Sequence, residues 1–93
     1  SRYVEVVKEV PITVEGVPSD RKLMVFPSDV MVVMKCEFPL LDNNDGNVKV
    51  YVDYEDFSSS LGGSCLVKIA SLPKGVISCE IDPVSVRCVE EAR

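Results

Sequence analysis

Val25–Met34 reads VFPSDVMVVM, and Glu80–Val89 reads EIDPVSVRCV. In both, an apolar residue is closely followed by a proline, a short polar step and an alternating run. Proline lacks an N–H and fixes φ, so at the head of a strand it costs no ladder bond and sets the turn into that strand. The two stretches belong to longer frames, VPSDRKLMVFPSDVMV from Val17 and LPKGVISCEIDPVSVRC from Leu72. Each runs apolar-Pro, turn, short strand, Pro, strand; Pro18 precedes Pro27 by nine residues and Pro73 precedes Pro83 by ten. Agreement in order favours internal duplication, a domain of two similar halves. Chance recurrence of proline turns, open to any β-protein, is the alternative.

The remaining segments read in the same way. Val10, Ile12 and Val14 alternate with Glu9, Pro11 and Thr13, the period of a half-buried strand. Pro11 marks an edge or a crossing point there. Val4 and Val6 begin the same alternation and Val7 breaks it, which predicts a bulge near Val7–Lys8. Arg21–Phe26 is a short extended piece. Val30, Val32, Met34, Cys36 and Phe38 line one face of the strongest strand. Met31 and Val33 make its other face apolar too, which predicts a central strand covered on both sides. Val48, Val50 and Val52 form a one-sided strand. Phe57 and Leu61 are apolar anchors whose spacing permits one helical turn, and the serine run with Gly62-Gly63 stops anything longer. Cys65, Val67 and Ile69 alternate, as do Ile77, Cys79 and Ile81, then Val84, Val86 and Cys88. The expected fold is all-β, a twisted sandwich or barrel-like domain of about six or seven short strands.

Composition bounds the function. The chain has 93 residues, one domain's worth, and at this size roughly 60–65 % of the unfolded surface is buried. That builds one core and leaves little for a deep cleft. The formal net charge is −5, which repels phosphate backbones, so nucleic acid is not an expected partner. No apolar run approaches the ~20 residues of a membrane span. Direct membrane insertion by these residues is not expected, and a targeting segment would lie outside them.

No catalytic, cofactor-binding or metal-ligating residue is assigned. The four cysteines, Cys36, Cys65, Cys79 and Cys88, form no CxxC pair, and the chain has no histidine, so the clustered spacing of zinc sites is missing. Each falls in phase with valine or isoleucine on a strand face, where a free cysteine acts as a small buried hydrophobe. Disulfides, in any of three connectivities, are the rival reading. LDNNDGN, Leu41–Asn47, resembles a calcium loop, but Leu41 and Val52 stand where its first and twelfth ligands belong. A turn built on Asp45-Gly46 fits better than a site using Asp42 and Asp45. With no histidine, a general base would have to be a perturbed carboxylate or lysine. Ser58–Ser60 has no base at a telling spacing, and Asp53, Glu55 and Asp56 read as a solvated turn.

Taken in order, the motifs resemble the YbbR-like domain family. VPITVEGVPSD matches its opening strand and turn, FPSDVMVVM its proline-led strand and VKVYVDYEDF its middle strand. LGGSCLVKIA matches the strand after its glycine loop, and LPKGV…IDPVSVRCV its ending. The resemblance covers about residues 10–89 within a single domain of residues 1–93. Phe38-Pro39 departs from the family by lacking a glycine before the proline, and four cysteines are unusual for it.

The resemblance implies a pseudo-symmetric all-β fold and no catalytic residues. It also implies a setting: tandem repeats on the extracytoplasmic face of the bacterial cytoplasmic membrane, anchored by a helix outside these residues. The implied role is a non-enzymatic interaction or regulatory module. Its partners would be neighbouring repeats and a protein such as a membrane diadenylate cyclase, the enzyme that makes cyclic di-AMP. Function would then sit on strand edges and on two long loops, residues 38–47 and 54–64. A structural spacer in the envelope is the alternative, and a metal- or redox-dependent activity of the cysteines is a third reading.

Overall fold

The computed structural model describes residues 2–38 and 48–93. Among them the chain forms β1 (Tyr3–Glu15), β2 (Arg21–Phe26), β3 (Asp29–Glu37), β4 (Lys49–Asp53), α1 (Tyr54–Ser58), β5 (Ser64–Leu66), β6 (Lys68–Ser71), β7 (Val76–Asp82) and β8 (Ser85–Ala92). Five strands, in the order β6-β4-β1-β3-β7, curl into a half-barrel, and three more make a small sheet, β2-β8-β5. The fold is all-β, as its valine-rich alternation predicts.

The two proline steps are the corners between the sheets. Through Pro27 the chain leaves the small sheet for the large one, from β2 to β3; through Pro83 it makes the reverse passage, from β7 to β8. The two bent strands pair with each other on both sides of the corner, β2 with β8 and β3 with β7, always antiparallel. Register carries through: Phe26 faces Arg87 and, five residues further along each strand, Met31 faces Asp82. Both Phe26–Pro27 and Asp82–Pro83 are cis. A two-fold rotation carrying Pro27 to Pro83 carries β2 onto β7 and β3 onto β8. The ladder of the small sheet then falls on that of the large one, so the repeated sequence is the two arms of one bent ribbon.

β1 is the longest strand and serves two neighbours. It pairs antiparallel with β3 from Tyr3 to Pro11, then parallel with β4 from Ile12 to Glu15. Pro11 stands at the hand-over, a crossing point, so its missing N–H falls where the ladder changes partner. Immediately after it, the Ile12 N–H donates to the Ser28 carbonyl at 2.9 Å.

Inside, Val10, Val30, Val32, Met34, Cys36, Val50 and Val52 from the half-barrel meet Leu23, Cys65, Val86 and Cys88 from the small sheet. Burying each such aliphatic side chain is worth about 1.5–3 kcal/mol. Several expectations change. The bulge at Val7–Lys8 is absent: pairing with β3 runs unshifted from Tyr3 to Pro11, and Val7 simply points outward. β3 is central but covered on one side only, since Met31 is exposed and Val33 half-buried. Phe38 lies past the end of β3 and is exposed.

LGGSCLVKIA supplies two strands, not one. The chain crosses between sheets at Val67, whose N–H donates to the Val84 carbonyl at 2.9 Å. Cys65 and Val67 stay buried, but Ile69, past the crossing, is exposed. A register shift between Lys35 and Cys36 sets Val76 opposite Cys36, which turns Ile77 out to solvent. Val84, at the Pro83 corner, is also exposed. Leu61 is no anchor: it is fully solvent-exposed, whereas Phe57 packs on the core beside Tyr54.

Val30→Asp should abolish cooperative unfolding, because it would bury an unpaired charge at a 2 % exposed position. Cys36→Ala should cost on the order of 1–2 kcal/mol in a denaturant melt through the lost core contact. Val7→Thr should stay within about 0.5 kcal/mol of the parent, as befits an outward side chain.

Candidate functional site

The groups best able to do chemistry are mostly committed to holding the fold. Asp53 caps α1, its side chain accepting the Glu55 N–H at 3.0 Å. Asp56 pairs with Lys68 at 2.7 Å, tying α1 to β6. The hydroxyls of Ser58 and Ser59 both donate to the Glu55 carbonyl at 3.0 Å, and Ser60 accepts the Gly62 N–H. These are helix-end hydrogen bonds of the kind serine makes when it competes with the backbone. Among the described residues no three Cys, Asp or Glu side chains are grouped to hold a metal ion. The calcium-like loop with Asp42 and Asp45 lies outside the described residues, as does most of the loop from Phe38 to Asn47.

One polar tie crosses between the two sheets' supporting elements. The Tyr54 hydroxyl, on α1, donates to Glu90 Oε2 on β8, and Arg21 on β2 approaches Glu90 Oε1 at 3.4 Å. Glu90 occupies the inward side of the small sheet, opposite Leu23, and is half-buried there. The hydrogen bond to this carboxylate, helped by burial, raises the Tyr54 phenol above its ordinary range.

The surface itself is more informative. Among the described residues, three long stretches of strand edge have no strand beside them: Tyr3–Val10 of β1, which pairs with β3 alone, β7 in the half-barrel and β2 in the small sheet. The β7 and β2 edges are equivalent under the ribbon's two-fold. β7 carries Glu80 and Asp82 on its exposed side, while β2 begins with Arg21 and Lys22. Beside the β7 edge, the outer face of the half-barrel holds an apolar row. Val7 faces Val33 directly, Val33 faces Glu80, and Met31 sits between Glu9 and Asp82. Glu5 and Lys35 border the row, with the Lys35 ammonium 4.9 Å from the centre of the Tyr3 ring. A separate apolar depression of about 390 Å³ lies at the seam of β1 and β4, lined by Val10, Pro11, Thr13, Val48, Lys49 and Val50.

The expected edges are therefore present, and the loop from Tyr54 to Ser64 is a helical turn followed by an exposed Leu61. Alternation along single strands does not reveal the apolar row: Val7 reads as a bulge and Met31 with Val33 as a covered face, whereas cross-strand pairing joins them into one patch. No family model, no curated protein and no solved structure matches the chain.

In an alkaline absorbance titration, one tyrosine component should ionise above the ordinary tyrosine range, and Tyr54→Phe should remove it. Because the folded pKa is raised, the stability this group contributes is complete below pH ~10 and is lost as pH rises through the folded value. Glu90→Gln should return the component toward the ordinary range.

Proposed function

We propose that the chain is a YbbR-like repeat acting as a non-enzymatic interaction module on the extracytoplasmic face of a bacterial membrane. Its partner in this reading is a protein, with a membrane diadenylate cyclase as the regulated enzyme and neighbouring repeats as secondary contacts. The observation that supports it is the apolar row Val7–Val33–Met31 lying next to the open β7 edge. An unpaired edge offers main-chain hydrogen bonds to a strand from a partner, and a side-chain row beside it supplies selectivity. Glu5, Glu9, Glu80 and Asp82, with Lys35 as the one basic group, surround the row, so the preferred surface is apolar with a mainly basic margin. The family resemblance supplies the setting and the cyclase.

A spacer is the second reading, and the shape favours it. The described residues extend 49 Å by 22 Å by 17 Å. The long dimension fits β1, whose 13 residues span about 43 Å at ~3.3 Å each. Such a rod holds neighbouring domains apart without any partner.

Capture of the tagged parent protein from native membranes separates the two. In the first reading a diadenylate cyclase co-purifies, and Val7→Thr with Met31→Thr and Val33→Thr lowers its recovery at least tenfold while the melting temperature is kept. Recovery of envelope proteins alone, unchanged by the triple variant, would leave the spacer.

A further inference from the structure

We infer that Cys65 and Cys88 are the two halves of a disulfide site that staples β5 to β8. The inference rests on side-chain placement and is independent of the functional reading above. Cys65 faces Val86 across the β5–β8 ladder, so Cys88 is its diagonal neighbour on the same, inward side. Their sulfurs lie 3.0 Å apart, with the Cys88 thiol donating to the Cys65 Sγ. That is about 1 Å longer than a disulfide bond. The backbone is held for this approach at the neighbouring position. The Cys88 N–H donates to the Gly63 carbonyl at 2.7 Å. Gly63 has φ +72, and a side chain there would meet the Cys88 carbonyl at 3.4 Å. Glycine thus permits the left-handed turn into β5, while a side chain there would only reach ordinary contact with β8.

The other two cysteines lack this arrangement. Cys36 and Cys79 share the inward side of β3 and β7, yet no sulfur contact joins them: Cys36 faces Val4 and Val76, and Cys79 faces Met34. The structure therefore assigns one bond, with two thiols left over.

Bond formation needs an oxidant, which is a small-molecule or protein disulfide. The Cys65 thiolate attacks one sulfur of that disulfide and expels the other as a thiolate, leaving a mixed disulfide on Cys65. The Cys88 thiolate then attacks the Cys65 sulfur and expels the second thiolate. Two electrons pass from the cysteines to the oxidant, and the two protons lost by the cysteines end on the two released thiols. Cys65 is the first attacker because β5 has three residues, lies at a sheet edge and opens most readily. Burial and the neighbouring Cys65 hold the Cys88 thiol up at about 12, so exchange in the closed state is slow and quickens as pH rises.

The test is refolding of the whole chain from denaturant in glutathione redox buffers, so that burial does not limit access. Acid quench, alkylation and intact mass then count free thiols, and peptide mapping locates the bond. The expected result is two alkylated thiols, Cys36 and Cys79, a linked Cys65–Cys88 peptide and a melting temperature raised by on the order of 10 °C. Cys65→Ala and Cys88→Ala should each give three free thiols at every redox ratio, while Cys36→Ala keeps the bond. Four free thiols throughout an oxidising series, or a bond that includes Cys36 or Cys79, would overturn the assignment.

Discussion

The pairing of two bent strands across a shared corner is the constraint on which the rest depends. β2 and β8 hold one register, β7 and β3 hold the same one, and the prolines stand where the chain must change sheets. A one-residue slip in either arm would turn every core side chain to solvent. The slip is resisted because Leu23, Val30, Val32, Met34, Val86 and Cys88 are all buried on the inward side. The corner also divides the labour of the remaining strands. β1 and β4 extend the half-barrel from β3, while β5 attaches to β8 alone. The core between the sheets follows from the ribbon's shape and is not built from independent layers.

Much of this was legible because period-two patterning reports on one side of a strand at a time. The inward sides of β3 and β4 are readable residue by residue, and the doubled proline frame marks the turns into β3 and β8, though not that the chain changes sheet there. What escaped was information that alternation does not hold. It cannot tell a covered second face from an exposed apolar row, because Met31 and Val33 have the same chemistry in either place. Nor does it register a change of sheet in mid-run: Cys65, Val67 and Ile69 alternate without interruption, yet the chain crosses at Val67. The shift at Lys35–Cys36 that exposes Ile77 is likewise a property of two strands together. Of the candidate surface, the edges were anticipated in kind, while the apolar row required the cross-strand register.

The two halves of the ribbon are alike in backbone and unlike in surface. Under the two-fold, β2 and β7 occupy equivalent edges, but one begins with Arg21 and Lys22 and the other ends with Glu80 and Asp82. Each edge has its own apolar neighbours: Val7, Val33 and Met31 lie beside β7, and Phe26, Met24 and Val89 lie on the outer face beside the β2 edge. A two-fold relates the ribbon's arms, and the added strands break its symmetry.

The cysteines follow the same division. Cys36 lies on β3, which has a strand on each side, and Cys79 lies on the edge strand β7. Cys65 and Cys88 lie on the β5–β8 side of the small sheet, to which β5 contributes three residues. A covalent link matters most where few noncovalent contacts resist opening. A bond there would close a loop from β5 to β8, tying down the crossing at Val67 and the second proline corner together.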